Sequence, residues 1–347
     1  LLMMGPVPEG AQPALKQSML QLLHQDKDDS FAASPAFDKL MNQTGDISVY
    51  APLGNLPDLI AGQFALSVPG SVDPDDVETF LSIKFEKGRI HIDGESSSEN
   101  KDVLSQIVKR GNELKKVKGA FLSEIPRNFL VWGTNAMDGQ QSLESLKKNK
   151  TAGDFLLAMN AGVDADLIMK SINGDASFCI PALKENGDII FLFNAQLSQK
   201  DFLNDVGYWK KSVAELGKGS RMSDAGKDTY NLSMPDFKGQ FGVRNMNFFA
   251  TNDGSSLSLP KGGDALLARY ENEMKQSSAF TLVNVAQAKK IPAFSKIIGI
   301  VGAYVPQIES LVNSTSVILL RSTGGNTGSV DFISTDPNLN YLQKLLK

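Results

Sequence analysis

Glu86-Lys87-Gly88-Arg89-Ile90 leads into Lys101-Asp102-Val103-Leu104, and ninety-nine positions later Glu185-Asn186-Gly187-Asp188-Ile189 leads into Lys200-Asp201-Phe202-Leu203 with no gap. A third stretch, Val330-Asp331 through Asn338, Leu342 and Lys347, fits over Ile92-Asp93 through Asn100, Leu104 and Lys109 at an offset of 238. Each stretch reads as strand, glycine turn, strand, polar link and helix. Three hairpin-plus-helix copies are therefore expected, at 80–109, 179–208 and 318–347. Repetition at fixed spacing is a statement about architecture, and chemistry has to be sought elsewhere.

The hairpins follow strand logic. In the first, Leu81, Ile83 and Phe85 alternate with Ser82, Lys84 and Glu86, and beyond Lys87-Gly88 the residues Ile90 and Ile92 alternate with Arg89, His91 and Asp93. That pattern makes one buried face and one wet face. In the second, Ile189-Ile190-Phe191-Leu192-Phe193 is apolar on both sides and reads as a central strand covered on both faces. The third pairs the apolar run Val317 to Leu320 with a turn at Gly324-Gly325-Asn326. Each following helix carries an apolar stripe, such as Val103, Leu104, Ile107 and Val108. Antiparallel hairpins alternating with helices give an α+β fold of duplicated modules, with helices packed on the sheet faces.

Weaker correspondences extend the repeat. A stretch at Leu1–Pro6, a helix near Gln12–His24, a strand at Ile47–Tyr50 and a helix at Leu56–Phe64 precede the first hairpin. In the same order Asn247–Asn252, a helix near Asp264–Met274, a strand at Phe280–Val285 and a helix at Ile291–Val312 precede the third. The second hairpin has no such prelude, only Ile125-Pro126 and a strand at Phe129–Thr134. Gly45-Asp46 and Gly174-Asp175 stand as a repeated turn before a strand. These readings place residues 1–118 as the C-terminal half of a first α+β module and 119–347 as a complete second one. Because Leu1 falls inside an apolar stretch, the chain is expected to be about one and a half modules of a longer protein.

A net charge of −4 argues against nucleic acid, which requires a concentrated basic face. The densest basic cluster, Lys109-Arg110 through Lys115, Lys116 and Lys118, sits at a helix end, where cations suit the last carbonyls. The single cysteine, Cys179, excludes a disulfide or a cysteine-based metal site within the chain, and its apolar strand makes it a buried, inert thiol. The most apolar segment, Ile297 to Val305, is about half as long as the roughly twenty residues a membrane span needs.

The catalytic inventory is short. His91 lies with Arg89 and Asp93 on the wet face of its hairpin, and His24 closes an amphipathic helix of Leu15, Met19, Leu22 and Leu23. Both read as surface histidines. Asp26, Asp28, Asp29 and Ser30 open like a calcium loop, but Phe31 and Phe37 stand where its glycine and glutamate belong. Asp73, Asp75, Asp76 and Glu78 lie in a loop and lead into a strand. Gly217-Lys218-Gly219-Ser220 and Gly324-Gly325-Asn326-Thr327-Gly328 match no phosphate-binding fingerprint and read as turns. No catalytic, cofactor-binding or metal-ligating residue is assigned, and no cofactor is expected.

The order "IPRNFLVWGTNAMDGQQSLESL", "GDASFCIPAL", glycine-turn hairpin and Lys-Asp-Phe-Leu helix resembles a family of secreted lipoproteins of Bacteroidetes-type bacteria, catalogued as domain of unknown function forty-eight thirty-six. The opening "LLMMGPV…AQPALKQSMLQLL…SPAFDKL…GDISVY" is similar to the middle of such proteins. The resemblance covers nearly the whole chain and implies export and lipid anchoring at the periplasm or cell surface. Contact with the membrane would then run only through a lipid anchor outside this chain. It carries no catalytic residues to transfer. The expected role is non-enzymatic binding or scaffolding at the cell envelope, with an envelope protein or a glycan as partner. The alternative is a hydrolase acting on a glycan or another envelope polymer through carboxylates alone. It would need two carboxylates about 5–10 Å apart in a cleft.

Overall fold

The computed structural model describes residues 10, 12–56, 68–69, 72–148, 150–184, 187–235, 237–304 and 306–345. In chain order, α1 (Gln12–Leu23) and α2 (Pro35–Met41) lead to β1 (Ile47–Pro52), β2 (Glu78–Glu86), β3 (Arg89–Ser97) and α3 (Lys101–Glu113). Next come β4 (Val131–Asp138), α4 (Gly139–Lys148), α5 (Lys150–Asn160), α6 (Ala165–Lys170), β5 (Ile172–Ile180), β6 (Leu192–Leu197) and α7 (Val206–Glu215). A meander of β7 (Arg221–Gly226), β8 (Thr229–Met234), β9 (Phe237–Arg244) and β10 (Asn247–Thr251) is followed by α8 (Asp264–Leu267) and α9 (Glu271–Lys275). The chain closes with β11 (Ala279–Val283), α10 (Val285–Ala288), α11 (Pro292–Tyr304), α12 (Pro306–Ser314), β12 (Thr315–Gly324), β13 (Thr327–Ser334) and α13 (Tyr341–Leu345).

The strands form one antiparallel sheet of thirteen, in the order β1-β2-β3-β13-β12-β11-β4-β5-β6-β10-β9-β8-β7. The fold is α+β. Three strand triplets (β1-β2-β3, β4-β5-β6 and β11-β12-β13) each end in a helical segment, and they lie side by side in the sheet. They meet at equivalent members: β3 pairs with β13, third strand to third, and β11 pairs with β4, first strand to first. The second hairpin therefore does have a prelude, contrary to the sequence reading. β4 and helices α4–α6 stand before β5 as β11 and α10–α12 stand before β12. Gly45-Asp46 and Gly174-Asp175 are not equivalent either. The first pair precedes the opening strand of its triplet, and the second lies inside β5, the middle strand of another.

Other expectations shift in detail. The helix read over 291–312 is two helices, the second opening at Pro306, because proline lacks the amide that a continuous ladder needs. The central strand read at 189–193 begins at Leu192, and Ile189 is 53% exposed. Pro181 follows β5 without a donor, so the arms of that hairpin splay and touch again at one bridge, Leu183 with Ile189. Gly88 (φ 74°) and Gly324 (φ 91°) turn the other two hairpins in the left-handed region that glycine tolerates. Leu1–Pro6, and Leu56–Phe64 beyond Leu56, lie outside the described residues.

Alternation along each strand sorts the cores onto two faces. On one face Leu81, Ile92, Leu320 and Val330 pack with Ile107 of α3 and Tyr341 of α13. Further along that face Ala176, Ala195, Phe241 and Phe248 pack with Ile168 of α6 and with Trp209 and Val213 of α7. On the opposite face Trp132, Cys179, Phe280, Leu282 and Leu319 are covered by Val117, Ile125, Phe129, Leu267 and Met274. That cover explains the candidate site, because the segment around Val117 crosses the ends of the central strands.

Candidate functional site

The chain leaves α3 at Leu114 and runs extended. Val117 is buried, and its amide donates to the Ser277 carbonyl at 2.9 Å. With Val117 turned inward, Lys116 and Lys118 turn outward, and Lys115 is exposed as well. The strap is pinned by Asp175, whose carboxylate is 1% exposed and accepts from the amides of Lys118 at 3.0 Å and Ala120 at 2.9 Å. Gly174 (φ 131°) permits this. A Cβ there would come within 2.5 Å of Gln196 Oε1, the atom that accepts from the Asp175 amide at 2.9 Å. The carboxylate read as a turn residue is thus a buried anchor inside a strand.

Between the strap and the β9–β10 turn lies a groove of about 450 Å³, lined by Lys115, Lys116, Lys118, Asn173, Gln196 and Asn247 among others. The turn is a two-residue hairpin with Asn245 at φ 50° and Met246 at φ 60°. Two left-handed residues match the twist of flanking strands. On the far side of the turn a second hollow of about 370 Å³ is lined by Asn194, Arg244, Asn245, Asn247, Lys261 and Glu124. Arg244 stacks its guanidinium 4.4 Å from the Phe249 ring centre, and Lys261 lies 3.7 Å from Glu124. Together the hollows present five cations (Lys115, Lys116, Lys118, Arg244 and Lys261) against two carboxylates, Asp175 and Glu124. Asp175 is committed to backbone amides. Partial burial pulls the Lys116 ammonium below its ordinary range, and it donates to the Thr323 carbonyl. Lys115 reaches Asn173 Oδ1 at 3.4 Å. The arrangement suits an anionic, hydrogen-bonding ligand.

An acidic cleft of about 530 Å³ opens elsewhere, lined by Asn160, Asp164, Asp166, Asp205, Tyr208 and Trp209 among others. Asp164 caps α6 by accepting from the Leu167 amide at 2.8 Å. Asp166 binds Lys147 and accepts from Asn160 Nδ2 at 2.8 Å. Burial pulls its carboxyl upward, but the bonds from Lys147 and Asn160 outweigh burial and hold it below the usual carboxylate range.

His91 is not an open surface histidine. Its side chain is 18% exposed, and Nδ1 lies 2.7 Å from Oδ1 of Asp331, itself 2% exposed. Arg321 donates to the other Asp331 oxygen at 2.8 Å, Arg89 lies 3.6 Å away, and Asp93 is 3.6 Å from His91 Nε2. Burial raises the Asp331 carboxyl, but His91, Arg321 and Arg89 reverse that and hold it below its ordinary value. Sequence reasoning missed this cluster. Its signal was the third repeat, which sets Asp331 in the polar register of a hairpin whose neighbour is β3.

The remaining candidates serve the fold. Cys179 is buried, and burial pushes its thiol up to about 12. His24 follows the last turn of α1. Asp73 caps the turn Pro74–Asp76, Glu78 accepts from Tyr50 Oη at 3.0 Å, and Asp46 accepts from the Phe85 amide at 2.7 Å. Gly217, Lys218 and Gly219, at φ 66°, 53° and 77°, make the turn into β7. Among the described residues no group of three His, Cys, Asp or Glu side chains converges as a metal site would require.

A family model described as "Domain of unknown function (DUF4836)" matches residues 9–341. The chain belongs to that family. No curated protein and no solved structure matches it. Among the described residues of this DUF4836 chain, no helix is long and apolar enough to cross a membrane.

Proposed function

We propose that this DUF4836 chain is a non-enzymatic binding module of the cell envelope, and that the groove under the Lys115–Lys118 strap takes an anionic, polyhydroxylated ligand such as an acidic glycan. One observation carries the reading. Five cations and a row of side-chain amides line two hollows that share the β9–β10 turn, with Asp175 already bound to backbone amides. Amides give directional contacts to hydroxyls, and ammonium groups attract carboxylate or sulfate. Each hollow falls within the range typical of ligand sites, roughly 300–1,000 Å³.

The second reading, a carboxylate-based hydrolase acting on a glycan or another envelope polymer, draws on the acidic cleft and on Tyr208, which is 71% exposed. A hydrolase of that kind needs one carboxyl held protonated near neutral pH. Asp166 is shifted the opposite way, and Asp164 is committed to a helix cap. That contrast favours binding over hydrolysis.

The test is calorimetric titration with a galacturonate oligosaccharide and with a neutral glucan of the same length, each repeated at raised salt. Salt-sensitive binding of the acidic oligomer alone, lost in Lys115→Ala/Lys118→Ala, is expected. Equal affinity for both, or release of shortened oligomers, overturns the reading.

A further inference from the structure

The strap groove does not end at Lys115. A third hollow of about 220 Å³ opens on the other side of that residue, lined by Arg110, Glu113, Asn135, Gln141, Ser142 and Ser278 among others. It shares Lys115 and Ala136 with the strap groove. The strap groove in turn shares Asn245 and Asn247 with the hollow beyond the β9–β10 turn. The three hollows therefore stand in a row.

The topology explains the row. In the order β11-β4-β5-β6-β10-β9, antiparallel alternation brings the start of β11, the end of β4, the start of β5, the end of β6, the start of β10 and the end of β9 to one rim of the sheet. Register keeps them level. Ala279 lies beside Asn135, Asp138 beside Asn173, and Asn247 beside both Gln196 and Arg244. With neighbouring strands about 4.8 Å apart, these six carry the row over roughly 24 Å.

The third hollow has a chemistry of its own. Arg110 and Lys115 are offset there by Glu113 and Asp138, so its lining carries no surplus charge. Arg110 donates to Gln141 Oε1, and Asp138 accepts from the Gln141 amide at 3.1 Å. What the hollow offers is hydrogen bonding, from Asn135, Gln141, Ser142 and Ser278. Ser278 is 3% exposed. Its amide donates to the Ser322 carbonyl at 2.7 Å, and its own carbonyl accepts from the Ala136 amide at 3.0 Å. Its hydroxyl is buried and has no hydrogen-bond partner among the described residues. A buried hydroxyl left unpaired costs stability, so its place on the wall of a hollow marks a contact kept for a ligand.

Resting on the acidic-glycan reading above, we propose that the third hollow is a further subsite of the same cleft. It takes the next sugar unit of an extended chain through that unit's hydroxyls and not through its charge. The Ser278 and Gln141 side chains supply the contacts, while the cations on the far side of Lys115 hold the acidic units. The ligand is then a polymer bound along its length, because a mono- or disaccharide cannot span the row.

Calorimetric titration of the full chain compares a galacturonate trisaccharide, which fills the strap groove, with a hexasaccharide that spans the row. The hexasaccharide is expected to bind about tenfold more tightly, the worth of one or two net hydrogen bonds. Ser278→Ala, and separately Gln141→Ala, is expected to remove most of that gain, and to do so equally at low and raised salt because neither substitution removes a charge. Thermal melts accompany the titrations. Ser278→Ala deletes an unpaired hydroxyl, so the free chain is expected to melt no lower than the parent. If the trisaccharide binds with salt sensitivity but the hexasaccharide binds no tighter, or keeps its gain in both variants, the subsite is overturned and the acidic-glycan reading stands. Binding of neither oligosaccharide overturns both. A Ser278→Ala chain that melts well below the parent assigns the hydroxyl to the fold and also overturns the subsite.

Discussion

Arg321→Met is expected to destabilise the chain more than most changes to a mostly buried cation, because of what it leaves behind. Arg321 is 17% exposed and donates at 2.8 Å to Asp331, which is 2% exposed. Removing one partner of a buried ion pair costs about 3–5 kcal/mol, since the remaining charge keeps its desolvation penalty. Here His91 at 2.7 Å and Arg89 at 3.6 Å remain beside the carboxylate, so the lower end applies, about 3 kcal/mol. The effect has a pH signature. The Asp331 carboxyl is lowered in the folded chain, so its contribution is present above the unfolded carboxylate value, about 3.9, and is lost as pH falls through the lowered folded value. Arg321→Met weakens that lowering. Its deficit against the parent should therefore be largest near neutrality and narrow below about pH 4, where the carboxyl is protonated in the unfolded chain. Urea denaturation of parent and variant at pH 7 and pH 3.5 measures both quantities. Replacing Asp331 as well, in Arg321→Met/Asp331→Leu, should recover only part of the loss, because the stranded carboxylate is removed while His91 and Arg89 lose the same partner. A deficit under about 1 kcal/mol at pH 7, or one that widens on acidification, would refute the reasoning.

Two further outcomes follow from the packing. Gly111→Ala should destabilise by about 1–3 kcal/mol or more, read by urea denaturation, because a Cβ there would overlap the Gly325 carbonyl where α3 meets the β12–β13 turn; a neutral result would mean that this contact is loose. With its thiol pushed up to about 12, Cys179 should have on the order of one thiolate in ten thousand at pH 8 and should label only as fast as the chain opens. Labelling of the native chain at the rate of a free thiol would contradict its burial.

The class of the fold was legible because strand and helix periods differ and the first hairpin keeps both faces distinct. Ile90 and Ile92 are buried while Arg89 and Asp93 on the other face stay partly exposed. Lateral order was not legible. Nothing in the local pattern of β3 says that it pairs with β13 rather than with a nearer strand, since pairing depends on shape across the whole sheet. The same gap hid the site. Lys115, Lys116 and Lys118 were visible as a basic cluster, and a helix-end role was the natural reading. What makes them a groove is Val117 turned inward and Asp175 holding the strap, and both depend on strands 55 or more residues away. His91 was misjudged for a related reason. Its hairpin face is indeed polar, but its partner Asp331 lies 240 residues further along the chain.

The β3–β13 seam also sets a timetable. Among the described strands β13 comes last in chain order, and in the sheet it is the link between β1-β2-β3 and the other nine. The hairpin of β2 and β3 therefore emerges well before β13 and must wait for about 240 further residues before its second edge is covered. Closing a loop of 240 residues instead of one of about 20 costs only about 2 kcal/mol more in chain entropy, so the delay weighs little on the finished fold. It weighs on the route. Non-local strand pairing is slow, and an unpaired strand is a template for the wrong neighbour. Arg89 and Asp93 place charge on β3 throughout that interval, and charge on a waiting edge is what discourages such errors.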